Sequence, residues 1–176
     1  MPGPPPRQDE IADLTTPDLV RRFARGVENF DRRVLSLNDS QLDTAFLPAA
    51  GVGRWPCRVL LGHVADADLA YVHRLRRAAA EESPVFAPWD ENAFIDAGLY
   101  RQPVAGYLAV IHALRQWTAE WLTGLDGPAW SRRALHPEAG PQTVRSIAEQ
   151  ATRHLEHHAR FLNLKVEKFL GPRPAE

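Results

Sequence analysis

The sequence predicts an all-α protein, a four-helix bundle, and three observations predict it. Apolar residues recur every three or four positions through four long segments. No convincing strand interrupts them. Connectors rich in proline and glycine separate them. Four amphipathic helices of about 20 residues bury their apolar stripes by packing on one another. At 176 residues with 44% apolar side chains, the chain is sized for one domain with a sizeable core.

Residues 1–9 (MPGPPPRQD) read as a disordered, proline-rich tail. Residues 10–171 read as the single domain, and 172–176 as a C-terminal tail. Helix 1 is expected over Pro17–Leu37, with Thr16 as N-cap, proline at the first helical position, and Val20, Phe23, Val27, Phe30, Val34 and Leu37 as its stripe. Residues 38–56 form a turn-rich connection containing Gly51, Gly53 and Pro56. Helix 2 follows over Cys57–Ala80, with Leu60, Leu61, Val64, Ala67, Tyr71 and Leu75 inward. Ser83–Gln102 is a long loop with a short helix around Glu91–Ala97. It carries Phe86, Trp89, Asp90 and Phe94, a heavy aromatic load for a connector, and loops of this length are often functional. Helix 3 is expected over Pro103–Leu122, stopped at Gly124. After a loop over Asp126–Gln142, helix 4 runs over Thr143–Leu170 and ends at Gly171 and Pro172.

Composition excludes several classes. A net charge of −1 without a basic run gives no reason to expect nucleic acid or an anionic membrane. The arginines of helix 1 are interleaved with Glu28 and Asp31, as on a solvated face. No apolar run approaches the length of a membrane span, and the N-terminus lacks a signal-peptide pattern. A single cysteine, Cys57, excludes an internal disulfide and fits a reducing, cytoplasmic setting; it reads as a packing residue.

Three histidines carry the chemistry. At about 100° per residue, His158 falls about 40° from the centre of the helix 4 stripe and His154 about 80° away on the same flank, with Ile147 and Phe161. His157 falls outside, so the wheel pairs His154 with His158 as an i, i+4 couple. His63 lies at the edge of the helix 2 stripe, and His73 on its opposite face. Two imidazoles one turn apart, plus a third from a neighbouring helix, form one face of a metal site with open positions, for which zinc or nickel is suited. HExxH is absent because position 155 is Leu, and no ExxH pair supports a di-iron centre. Asp68 falls on the apolar face of helix 2 and needs a partner, either the second ring nitrogen of a ligand histidine or an arginine or backbone group. Trp55, Tyr71, Trp89 and Asp90 are candidates for the pocket mouth, or, for the tryptophans, simple caps on the bundle end.

GVGRWPCRVLLGHVADADLAYVHRLR and HLEHHARFL together resemble the signatures of the DinB/YfiT-like family, over about Thr16 to Phe169. The resemblance implies a four-helix bundle of up-down-down-up connectivity and a divalent metal held by three histidines, which map to His63, His154 and His158. It also implies a homodimer, and kinship with transferases that use bacillithiol or mycothiol. The leading expectation is therefore a metal-dependent enzyme of thiol transfer (a thiol-dependent S-transferase) or related nucleophilic chemistry such as hydrolysis, acting on a small-molecule substrate through a metal-bound low-molecular-weight thiol or water. Two alternatives stand beside it: a non-catalytic metal- or small-ligand-binding bundle of the stress-response kind, and a structural bundle with incidental histidines.

Overall fold

Helix boundaries follow local chemistry. In the computed structural model, which describes residues 8–173, a short helix α1 (Gln8–Ala12) precedes α2 (Thr16–Ala24). Thr15 caps α2 by accepting from the Asp18 N–H, one residue before the predicted cap. A capping box of Asn38 and Gln41 opens α3 (Asp39–Leu42). Prolines precede α4 (Cys57–Ala80) and α6 (Val104–Thr123), where their missing N–H is harmless. Asp90 caps α5 (Glu91–Asp96). Thr143 and Ser146 form the box that starts α7 (Val144–Leu170), and Gly171, with φ of 78°, ends it.

The bundle is built from α2 with its continuation, α4, α6 and α7. Both α4 and α2 pack on α6 and α7, so α2 and α4 face each other across the bundle. The long 81–103 segment is the crossover that an up-down-down-up bundle needs between its second and third helices. Among the described residues, no helix is long and apolar enough to cross a membrane.

Three expectations are corrected. Helix 1 does not run unbroken to Leu37: α-helix stops at Ala24 and 3-10 turns follow at Arg25–Asn29 and Arg32–Ser36. The carbonyls of Phe23 and Ala24 are taken by Arg115 (Nη1, 3.1 Å) and Gln116 (Nε2, 2.9 Å) of α6. Gly26 lies so close to Arg115 that a Cβ there would stand 2.7 Å from Nη1. The inward residues survive the change because Val27 and Phe30, and Val34 and Leu37, are three apart, the repeat of a 3-10 turn. Second, the 126–142 loop contains an antiparallel hairpin, β1 (Arg133–His136) with β2 (Gly140–Thr143), pairing Arg133 with Thr143 and His136 with Gly140. Leu135 bridges to Val85 and so ties the hairpin to the crossover. Third, of the N-terminal tail expected over 1–9, Gln8 and Asp9 belong to α1; residues 1–7, like 174–176 of the C-terminal tail, lie outside the described residues.

The core is split. One apolar cluster gathers Phe23, Leu75, Leu122, Trp130 and Ile147; the other gathers Phe30, Leu61, Val64, Ile111, Leu155 and Leu162. On α4 and α6 the boundary between them falls at Asp68 and Arg115. These form a bidentate ion pair, with Nε and Nη2 of Arg115 at 2.7 and 2.8 Å from the carboxylate. Arg115 also donates to the Phe23 and Ala151 carbonyls, so one guanidinium ties α6 to α2, α4 and α7.

Candidate metal centre

His63 sits on α4 and His154 and His158 sit one turn apart on α7, across the seam where these helices pack. One ring nitrogen from each of the three lies within 4.8 Å of the others, and the Nε2 atoms of His63 and His154 are 3.2 Å apart. His157 points to solvent and joins only through ring contacts with His158 and Phe161. His63 is more buried than an edge position implies, at 1% exposure. The crossover explains this: Trp89 stacks at 5.8 Å from its ring, and the Glu91 carboxylate comes within 3.7 Å of its Nδ1.

Aromatic rings wall the cluster. Trp55 lies 4.8 Å from His63 and stacks on His158 at 5.9 Å; Tyr71 lies 5.7 Å from His154. Trp55 is delivered by the turn before α4. There the Val52 carbonyl accepts from the buried Lys165 ammonium, and Gly53 adopts φ of 75° with the Phe161 ring just beyond it. Phe94 packs on Trp89 at 5.1 Å. Trp55, Tyr71 and Trp89 therefore meet the histidines. Asp90 does not: it is exposed, and its carboxylate caps α5. Asp68 is also elsewhere engaged, because its partner is Arg115 and it makes no hydrogen bond to a histidine among the described residues. Cys57 is buried in the core, where desolvation pushes its thiol up to about 11, consistent with packing.

Electrostatics favour neutral imidazoles. Burial lowers His63 to about 4 and His158 to about 3, and holds His154 well below the usual histidine range, with neighbouring histidines adding to the effect on both α7 residues. Neutral imidazole is the form that ligates metal. The donor set passes a further test of fit: a zinc-class ion about 2.0–2.1 Å from each nitrogen in tetrahedral array sets adjacent nitrogens about 3.3 Å apart, close to the observed His63–His154 spacing. The buried Nδ1 atoms of His63 and His154 have no hydrogen-bond partner among the described residues.

Sequence reasoning missed two features. Glu91 was invisible because it lies on a loop helix with no periodicity linking it to His63. The other is a cavity of about 360 Å³ beside His154, lined by Tyr71, Gln150, Arg153, His154 and His157. Its polar residues Gln150, Arg153 and His157 sit on the outer flank of α7, where no sequence signal separates a site from a solvated face.

A sequence profile of the DinB superfamily matches residues 10–162. The chain belongs to this superfamily. Among relatives, a protein of Oceanobacillus iheyensis named "Putative metal-dependent hydrolase" is 31% identical over 144 residues, covering 80% of this chain and 81% of that one. A Bacillus pumilus protein of the same name is 31% identical over 145 residues. In structure, this DinB-superfamily chain is similar to YfiT from Bacillus subtilis, described as "a probable metal-dependent hydrolase with an unusual four-helix bundle topology". The TM-score is 0.79 at 23% identity, over 94% of this chain and 93% of the other. That likeness establishes the shared fold.

Proposed function

We propose that this protein is a divalent-metal-dependent hydrolase of small molecules, with His63, His154 and His158 as the metal ligands. The observation that carries the proposal is the convergence of three neutral imidazoles from two helices at one partly buried, aromatic-walled point. The names of the relatives support the reaction class. Zinc or nickel suits an all-imidazole set. When bound, such a cation supplies Lewis acidity and a nucleophile, from water or from a small thiol, near neutral pH.

The chain's own residues do the rest. Glu91, whose carboxylate lies 3.7 Å from His63 Nδ1 without a hydrogen bond to it, sets a negative charge behind that ring that would favour a bound cation. Trp55 and Trp89 exclude bulk water and hold two of the imidazole planes. The polar groups of the adjoining cavity favour turnover over simple sequestration, because they set hydrogen-bonding side chains next to the ligand cluster.

The test is hydrolysis of a panel of p-nitrophenyl esters and amides by zinc- and nickel-loaded, chelated and reloaded protein, with and without added thiol. Activity lost on chelation, restored by metal and indifferent to thiol supports hydrolysis. Activity that appears only with thiol supports thiol transfer through the same centre. Metal binding with no turnover in either arm makes the bundle a binding protein.

A further inference from the structure

Arg153 lies on α7 one residue before the ligand candidate His154 and lines the 360 Å³ cavity beside it. Its guanidinium makes no ion pair or hydrogen bond among the described residues. On a helix, its natural partners are acids three or four positions away. Both such acids exist and both are taken. Glu149 is held by Arg145 at 2.7 Å, and Glu156 is held in a bidentate pair by Arg22 of α2 at 2.7 and 2.8 Å. Sequence thus offers Arg153 two neutralising partners, and the fold withdraws them.

The other cavity walls are donors or neutral groups. Tyr71 brings a phenol hydroxyl as a hydrogen-bond donor. Gln150 brings an amide that already accepts from Gln142 through its Oε1, leaving its NH2 to donate. His157 brings an imidazole at the cavity's outer edge. No carboxylate lines the cavity.

We propose that this cavity is a subsite for a small oxyanion group, a carboxylate or a phosphate, carried by the ligand whose reacting end lies at the three histidines. Arg153 supplies the charge, with Tyr71 and Gln150 as hydrogen-bond donors. The proposal rests on the metal-hydrolase reading for its reacting end, and it narrows the substrate to an anionic molecule anchored beside His154. A planar guanidinium suits either oxyanion, since both accept paired N–H donors.

The test titrates the full chain, zinc-loaded and zinc-free, with inorganic phosphate and separately with succinate. Backbone amide shifts and the Arg153 Nε–Hε signal are followed by NMR. The expected result is saturable shifts centred on residues 71, 150, 153 and 157, present without zinc, and weakened about tenfold or more by Arg153→Met but less by Arg153→Lys. Zinc affinity should stay the same in both variants. Preference for phosphate or for succinate identifies which oxyanion the site takes. Shifts that fail to saturate, that appear only with zinc bound, or that survive Arg153→Met unchanged overturn the subsite. Saturable, Arg153-dependent shifts in a protein that takes up no metal would uphold the subsite and sink the hydrolase reading instead.

Discussion

Replacing Arg115 with methionine should nearly unfold the metal-free protein. The guanidinium is fully buried and donates four hydrogen bonds: two to Asp68, one to the Phe23 carbonyl and one to the Ala151 carbonyl. Methionine approximates the stem's volume but strands a carboxylate that is 1% exposed. Removing one partner of a buried pair costs about 3–5 kcal/mol, and the upper end applies because two bonds to carbonyls are lost as well, although the Phe23 and Ala151 carbonyls keep their backbone donors. A loss of about 5 kcal/mol is comparable with the whole stability of many domains. It corresponds to a fall of about 10–20 °C in Tm, at about 2–4 °C per kcal/mol. Urea unfolding of wild type, Arg115→Met, Asp68→Leu and the double variant measures it. The double variant removes both charges and should be more stable than Arg115→Met alone. The reasoning fails if Arg115→Met stays within about 1 kcal/mol of wild type, or if the double variant loses the full sum of the singles. A companion measurement checks the placement of Asp68. Asp68→Asn should keep its zinc affinity once folded, whereas a drop of about 10–100-fold would place that carboxylate behind a ligand histidine after all.

Three further outcomes are expected. In the metal-free protein, His63 and His158 stay neutral when folded, at about 4 and 3, but take up protons near pH 6.5 once unfolded. Stability should therefore be complete above about pH 6.5 and fall toward pH 4, by about 2 kcal/mol per histidine at pH 5; an unchanged urea midpoint between pH 7 and 5 would contradict this. Gly62→Ala should cost about 1–3 kcal/mol in the same assay, because its Cβ would stand 2.3 Å from the buried Tyr100 ring, which is fixed by a 2.8 Å bond to Asp66. Glu91→Gln should weaken zinc binding about tenfold without altering stability, as measured by chelator competition, and an unchanged affinity would remove Glu91 from the centre.

The long helices were legible because their signals are local. The α7 stripe of Val144, Ala148, Ala151, Leu155, Leu162 and Val166 is buried as its period requires, and His157 is outside. The meeting of His63 with His154 and His158 was legible because an i, i+4 pair on a half-buried flank needs only one neighbouring helix to complete it. What stayed hidden depends on distant partners. No period announces that the first α-helix stops at Ala24, where Arg115 packs against Gly26 and bonds the Phe23 carbonyl, or that Arg115, rather than a histidine, satisfies Asp68. The burial of His63 is imposed by Trp89 and Glu91 from a crossover that no helical wheel includes. The hairpin has four residues per strand, too few to show alternation. The unpaired state of Arg153 follows from Arg22, over a hundred positions away, taking Glu156.

The central claim is a three-histidine metal centre, and zinc competition against a chromophoric chelator tests it most directly. Wild type would be run beside His63→Ala, His154→Ala, His158→Ala and the outward His157→Ala. One zinc per chain should bind to wild type and to His157→Ala alike, with each of the other three weakened more than about 100-fold, beyond what the loss of an outer-shell partner produces. Absence of stoichiometric zinc or nickel in wild type, or retention of full affinity by His158→Ala, would contradict the centre.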